Sequence, residues 1–301
     1  MKQELSILIP VFNYDCTSLI DGLCLQASAL EQKGVQIEIV IAEDGSADAS
    51  ALQANAALAS KPYCRYIVRQ ENVGRAAIRN FLAQESRYTW LLFLDCDMQL
   101  PHSHFLADYL DSSGTEVVDG GFGVTENRQL MGRNLRYTYE YCSQKRHSLQ
   151  ERTKNPYRSF RTTNFMIRRD IMLRYPFDER FRHYGYEDVL FGKVLKKNGI
   201  GISHIDNPMM LTDVETNAVF VAKTEESLHT LHQFRSDLLG FSRLLTAVEN
   251  INSRFTKGML RMVHRLFGRL ERRWLCGRHP NLKVFNLYKI GYYLELEKQN
   301  R

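Results

Sequence analysis

Between Ser6 and Leu94 this chain alternates short aliphatic runs with helix-forming segments, and nothing else in it constrains the fold so tightly. Ser6 to Phe12 (SILIPVF), Gln36 to Ala42 (QIEIVIA), Cys64 to Arg69 and Trp90 to Leu94 (WLLFL) read as strands. Asp21 to Gln32, Ala49 to Ser60 and Ala76 to Glu85 read as helices between them, the first stopped by Gly34. Strands that are apolar without a break are buried on both faces. Their alternation with helices at this pitch calls for a mixed, mostly parallel sheet flanked by helices, with a Rossmann-like nucleotide-binding half: an α/β chain.

The pattern changes after Thr115. Glu116 to Phe122 reads as one strand, Arg128 to Gln150 as a polar helix rich in Tyr and Arg, and Phe160 to Arg168 as a return to β structure. Glu187 to Lys197 reads as a helix closed by Asn198-Gly199. Beyond Asn207-Pro208 the sequence reads as mostly helical. The expected organisation is therefore a catalytic domain over 1–213 and a helical extension over 214–301.

In 301 residues, 44% hydrophobic and 25% charged content supplies an ordinary globular core, so disorder is excluded. The six cysteines are scattered, without ligand spacing, and read as free thiols in a reducing compartment. The first residues carry no leader pattern, and no apolar stretch reaches the roughly 18 residues that a spanning helix requires. A cytoplasmic location is expected.

Ligands of an open parallel sheet bind beyond the carboxyl ends of its strands. The first strand ends in Pro10-Val11-Phe12-Asn13, the second in Glu43-Asp44-Gly45-Ser46, and the fourth in Asp95-Cys96-Asp97. Asp95 and Asp97, at i and i+2 of extended chain, lie on one side and offer hard oxygen ligands suited to Mg²⁺ or Mn²⁺. The same pair fits a solvated loop that caps the next helix. Asp44-Gly45-Ser46 is also ordinary turn chemistry, and Arg75 and Arg79 fit either an exposed helix face or a diphosphate. Glu187-Asp188 opens a helix, where the dipole favours acids; an ionised carboxylate there also suits a general base.

Taken in order, Pro10-Val11-Phe12-Asn13, Glu43-Asp44-Gly45-Ser46, Asn72-Val73-Gly74 with Arg79-Asn80, Asp95-Cys96-Asp97 and Gly185-Tyr186-Glu187-Asp188 resemble the family 2 glycosyltransferases of the GT-A fold. The resemblance covers about residues 5–210. It implies an inverting transfer from a nucleotide-sugar donor, usually a UDP-sugar, to a hydroxyl of a glycan or lipid-linked glycan, as in surface polysaccharide synthesis. It implies that Pro10, Phe12 and Asn13 line the nucleotide pocket with Glu43, that Asp44 bonds the base edge, and that Arg79 supports the site. Asp95 would face ribose and metal, Asp97 would bind the divalent cation (Mn²⁺ or Mg²⁺), and Asp188 would be the catalytic base. Glu187, Tyr186 and Asn164 would position acceptor or donor. One departure stands out: many similar sequences carry a metal-binding His a few residues after the Asn-Pro, where this chain has Met209, Met210 and Leu211. His204 lies nearby and reads as a strand-end histidine.

Lys257, Arg261, Arg265, Arg269 and Arg273 recur every four residues beside an apolar stripe from Phe255 to Trp274. Residues 254–275 thus form a basic amphipathic helix, which fits either peripheral contact with the inner face of the cell membrane or packing on the protein with the charges solvated. A dehydrogenase is excluded because no glycine-rich phosphate turn follows the first strand. A nucleotidyltransferase has no use for Glu187-Asp188, and a degenerate sugar-binding scaffold is disfavoured by the intact Asp95, Asp97 and Asp188. The basic stripe has little aromatic interleaving and matches no nucleic-acid motif, so no nucleic-acid partner is expected.

Overall fold

The computed structural model describes residues 2–112 and 114–299. Residues 300 and 301, at the end of the expected extension, lie outside them. In chain order the strands are β1 (Glu4–Val11), β2 (Gln36–Asp44), β3 (Cys64–Arg69), β4 (Trp90–Leu94), β5 (Met98–Gln99), β6 (Val117–Asp119), β7 (Phe122–Val124), β8 (Asn164–Arg168), β9 (Ile202–His204) and β10 (Met209–Leu211). The helices are α1 (Thr17–Glu31), α2 (Ala49–Ala56), α3 (Arg75–Glu85), α4 (Phe105–Asp111), α5 (Leu135–Ser143), α6 (Leu149–Lys154), α7 (Pro156–Ser159), α8 (Arg169–Arg174) and α9 (Glu187–Lys197). They continue with α10 (Asn217–Gln233), α11 (Arg235–Leu238), α12 (Arg243–Glu249), α13 (Arg254–Leu275) and α14 (Leu282–Gln299).

Seven strands form the main sheet in the order β3-β2-β1-β4-β8-β6-β9. β3, β2, β1 and β4 run parallel, β8 runs antiparallel to both β4 and β6, and β6 and β9 are parallel again. Leu5, Ile7, Leu8 and Ile9 of β1 are buried, as are Leu91 to Leu94 of β4. This two-sided burial is why those strands read as unbroken apolar runs. Phe93 stacks on Phe165 across the β4–β8 pair at 4.9 Å between centroids, and Phe160 meets Phe165 edge-on. A second, three-stranded sheet has the order β5-β10-β7.

The structure departs from the sequence reading in three places. The single strand expected over 116–122 is two strands in different sheets, because Gly120 and Gly121 break it. Gly121 has φ of 91°, and a Cβ on Gly120 would lie 2.5 Å from Asn164 Nδ2. The helix expected over 128–150 is cut into α5, a 3₁₀ turn (Gln144–His147) and α6. Asn134 caps the first piece by accepting from Tyr137 N–H at 2.8 Å, and Ser148 caps the last. After Asn207-Pro208 the chain first forms β10, and helix begins only at Asn217.

The chain divides into two compact units. The first comprises Met1–Gly123, Arg146–Arg182 and Phe191–Asp213 and holds the main sheet. The second comprises Val124–Lys145, His183–Leu190 and Val214–Arg301, so two segments from the first two-thirds of the sequence group with the C-terminal helices. Its core gathers Leu135, Val221, Leu275, Phe285 and Tyr288. Asn217 knits it: Oδ1 accepts from Leu135 N–H at 2.7 Å, while Nδ2 donates to the carbonyls of Arg133 (2.9 Å) and Gly277 (2.7 Å).

Candidate active site

In the first unit, the parallel strands carry their carboxylates to one edge. Asp95 follows β4 directly, and its backbone N–H donates to Thr163 O at 3.0 Å. Its side chain is 16% exposed and pairs with the fully buried Arg79 and, at 3.3 Å, with the more open Arg75. Both arginines lie on α3, one turn apart, so a single helix aims two guanidiniums at one carboxylate. Burial by itself would raise the Asp95 pKa; the charges of Arg75 and Arg79 and the hydrogen bonds from Arg75 and Thr163 outweigh it and hold the carboxyl below its ordinary value. Asp95 is thus already neutralised by protein cations.

Asp97 lies two residues on and is half-buried. A second carboxylate, Asp213, lies at the same end of the small sheet. In the β5–β10 ladder Met98 faces Leu211 and Gln99 faces Met210, antiparallel, so Asp97 entering β5 and Asp213 leaving β10 emerge at the same end. Tyr14, just past β1, joins them: its hydroxyl donates to Asp213 Oδ2 at 2.5 Å. Burial, the bond to Asp213 and the charges of Asp213 and Asp97 push the Tyr14 pKa well up, which holds its proton in place. Leu211, at the expected histidine position, is buried. His204 is not available instead. Its Nε2 lies 3.1 Å from Pro156 O and must donate, so Nδ1 accepts from Arg152 at 3.0 Å. Arg152 in turn is locked to Asp119 at 2.9 Å.

Between the two aspartates, Cys96 receives the Phe12 N–H. Burial, and then the charges of Asp97, Cys16 and Asp95, push its thiol far above the usual range.

The remaining candidates divide into surface and scaffold. Phe12 is 51% exposed at the end of β1, and Pro10 pairs with Ala42 in the β1–β2 register. Asn13 has φ of 50°, and its Oδ1 accepts from Ala47 N–H (2.7 Å) and Asp48 N–H (3.0 Å), tying β1 to the loop after β2. Glu43 is completely buried; its carboxylate accepts from Asn55 Nδ2 (2.8 Å), Tyr66 Oη (3.0 Å) and Ser46 Oγ. Asp44 accepts from Val73 N–H (2.9 Å) and Gly74 N–H (3.1 Å) and so fixes the loop that enters α3. Burial raises its pKa against those bonds and the charge of Arg69. Gly45, at φ of 68°, is where this loop crosses the next: a Cβ there would lie 2.5 Å from the Glu71 carbonyl carbon. Asn164 is buried, with Oδ1 accepting from Tyr109 Oη (2.6 Å) and Nδ2 donating to Asn207 O (2.7 Å) and Gly121 O (3.2 Å), so its polar atoms all serve the protein.

Tyr186, Glu187 and Asp188 belong to the second unit. Tyr186 has φ of 70°, and Gly185 before it has φ of 98°, its absent Cβ 2.8 Å from Ser227 Cβ. The Tyr186 carbonyl accepts from Leu190 N–H at 3.1 Å and so begins α9. Burial, the Tyr139 side chain and the Asp188 charge raise the Tyr186 pKa well above its usual value. Glu187 is buried; Asp188 is half-buried and accepts from Val189 N–H at 2.7 Å.

Among the described residues a separate group also has metal-ligand geometry. His102, His104 and Asp108 bring one donor atom each within 4.8 Å of one another, the two imidazoles stacked at 3.9 Å. Two nitrogens and one oxygen suit Zn²⁺ more than Mg²⁺.

Residues 6–175, more than half of the chain, match the family model described as Glycosyl transferase family 2. This chain belongs to that family. The chondroitin synthase of Pasteurella multocida (strain Pm70) is 27% identical to the glycosyltransferase over 237 residues, which are 68% of this chain and 24% of that protein. The chain therefore spans about a quarter of the length of that curated relative. Among solved structures, S. aureus TarS in complex with UDP-GlcNAc superposes with a TM-score of 0.51 at 16% identity, covering 100% of this chain and 93% of that one. The mannosyltransferase PcManGT from Pyrobaculum calidifontis, in complex with GDP-Man and Mn²⁺, superposes with a TM-score of 0.58 at 11% identity, covering 100% and 88%. The glycosyltransferase thus has the GT-A fold, with a helical C-terminal region.

Proposed function

We propose that this glycosyltransferase moves a hexose from a UDP-sugar to a hydroxyl of a growing glycan or lipid-linked glycan, with inversion at the anomeric carbon and assistance from a divalent cation. The observation that carries the reading is the group at the ends of β1, β4 and β10: Asp95 neutralised by Arg75 and Arg79, with Asp97 and Asp213 beside Tyr14.

The donor set fits a hard cation. Asp97 and Asp213 are oxygen donors whose mutual repulsion a cation would relieve, and Mg²⁺ or Mn²⁺ is held by one or two carboxylates together with phosphate oxygens. Asp97 would be the first ligand and Asp213 the second, in the role left open by Leu211; Asp95, paired with two arginines, would orient the ribose side. When bound, the cation would offset charge that builds on the departing diphosphate.

The other residues act on substrate groups. Phe12 offers an exposed aromatic face to the base, and Asp44 accepts from its edge, which favours uracil. TarS with UDP-GlcNAc supports a uridine donor, while PcManGT with GDP-Man keeps guanosine as the competing case. Glu43, Asn13 and Asn164 hold the loops that present these groups. Arg75, 39% exposed, can turn part of its guanidinium toward a phosphate. Asp188 takes the proton of the acceptor hydroxyl. That oxygen then attacks the anomeric carbon from the face opposite the leaving diphosphate, which departs with the bonding electron pair, and one displacement inverts the centre. Asp188 sits in the first turn of α9, where the helix dipole favours a carboxylate.

Calorimetric titration of the protein with UDP, in Mn²⁺ and in EDTA, tests the reading beside Asp97→Ala. Binding that needs Mn²⁺ and is lost in the variant is expected. Binding indifferent to both would overturn the cation role, and tighter binding of GDP than UDP would overturn the donor.

A further inference from the structure

Helix α13 wears its amphipathicity outside in. Its 22 residues, RFTKGMLRMVHRLFGRLERRWL, place Phe255, Met262, Leu266 and Leu270 on one face, with Phe267 and Trp274 beside them. These six side chains are 80%, 57%, 65%, 62%, 50% and 53% exposed, in that order. A helix of a water-soluble domain turns such a stripe toward its core. Here the small and polar face is the one that packs. His264 sits edge-on to Tyr288 (5.1 Å) and Tyr292 (5.7 Å) of α14, and its ring nitrogen lies 3.2 Å from Glu271. A Cβ on Gly291 of α14 would lie 2.6 Å from His264 Cβ, so the two helices are in close contact along that side. Arg272 is tied to Glu225 of α10 at 2.8 Å, and Leu275 is buried in the second unit's core. These contacts fix the rotation of the helix. The apolar stripe therefore points to solvent because of how α13 is packed.

The charge on the helix says what covers the stripe. α13 carries six arginines and one lysine against a single acid, Glu271. Lys257, Arg261, Arg265 and Arg269 follow one another at i+4, in a row flanking the apolar face. A second copy of the helix would bring two such rows together without acids to answer them. An anionic lipid surface answers them directly, with headgroups for the arginines and the upper acyl layer for Phe, Leu, Met and Trp. Among the described residues no helix is long and apolar enough to cross a membrane, so α13 lies on the surface rather than through it.

We infer that α13 is a membrane-docking helix that seats the full chain on an anionic phospholipid bilayer. This goes beyond the sugar-transfer reading and does not depend on it, since none of the nucleotide-site candidates lies on α13.

Flotation of the full-length protein with phosphatidylcholine vesicles, and with vesicles that also contain phosphatidylglycerol, tests it, alongside light scattering of the free protein. The chain should float with the anionic vesicles at least about tenfold better than with the neutral ones, and lose that preference in high salt. Leu266→Glu with Leu270→Glu, and separately Arg265→Glu with Arg269→Glu, should each abolish flotation. All four positions are solvent-exposed, so the variants keep their fold, as unchanged circular dichroism would verify. In a Trp90→Phe background, Trp274 fluorescence should shift to the blue on binding. Failure to float with anionic vesicles overturns the inference. So does equal flotation with both vesicle types, or a dimer in solution that Leu266→Glu with Leu270→Glu dissolves, which would make a second copy the occupant.

Discussion

Arg79→Met should destabilise the first unit by about 3 kcal/mol, and Asp95→Asn should take much of that loss away. Arg79 is 1% exposed and Asp95 16%, so solvent screens the pair little. Breaking a buried pair from one side typically costs about 3–5 kcal/mol because a charge is stranded. The lower end applies, since Arg75 stays within 3.3 Å of Asp95 and shares its charge. With both groups removed neither charge is stranded, so the double variant should recover about 2 kcal/mol relative to the sum of the singles. The effect also has a pH signature. The folded-state pKa of Asp95 is lowered, so the stabilisation it brings is complete above the unfolded value near ~3.9 and fades as pH falls through the folded value. In Arg79→Met the carboxyl is less depressed and gives up its share at higher pH. Below about pH 4 the gap between wild type and variant should therefore narrow. Urea unfolding of the four proteins at pH 7 and at acid pH measures both terms. Strictly additive single effects, or a gap constant down to acid, would refute the reasoning.

Other expectations follow from the same geometry. Asp213→Asn should weaken the Mn²⁺ dependence of UDP binding by about 10- to 100-fold, and an unchanged metal titration would exclude it from the cation's ligands. Asp188→Asn should lower kcat by about a hundred- to ten-thousand-fold while UDP affinity holds; steady-state rates beside calorimetry separate the two, and a lost affinity would count against a role as base. Gly45→Ala should cost about 3 kcal/mol in thermal unfolding, because φ of 68° and the Glu71 backbone 2.5 Å from the new Cβ leave no relaxed position; a near-neutral variant would mean that the two loops part readily.

The first half of the fold was legible for a physical reason. β1, β2 and β4 are largely buried, so they appear as nearly unbroken aliphatic runs, while β3, the half-buried edge strand, is marked by its β-branched and aromatic Tyr66-Ile67-Val68; β3 and β4 match their expected bounds residue for residue. Where burial is one-sided or a cap intervenes, pattern fails. The Gly120-Gly121 break and the caps at Asn134 and Ser148 each cut an element that periodicity alone would continue. The sequence pointed to Asp95 and Asp97 because they sit together after a strand. Asp213 could not be read that way, since only the antiparallel ladder of β5 and β10 brings it to the same end as Asp97. The spacing Thr-Asp directly after an apolar triplet was the one signal, and it is too common to be used. Periodicity likewise named both faces of α13 and was silent on which of them turns inward. That choice is made by Gly291 and His264, far apart in sequence.

Cys96 has a practical consequence. Sitting between Asp95 and Asp97, it would ordinarily be the first place to fear alkylation or peroxide damage. Burial pushes its thiol far above the usual range and so disfavours the reactive thiolate, and the pKa values of the buried or half-buried Cys16, Cys24, Cys64 and Cys276 are raised as well. Cys142, on α5, is the one cysteine that is openly exposed. A maleimide dye should therefore label Cys142 ahead of the other thiols on the native chain, so the protein can carry a fluorescent reporter without a cysteine having to be engineered in or removed.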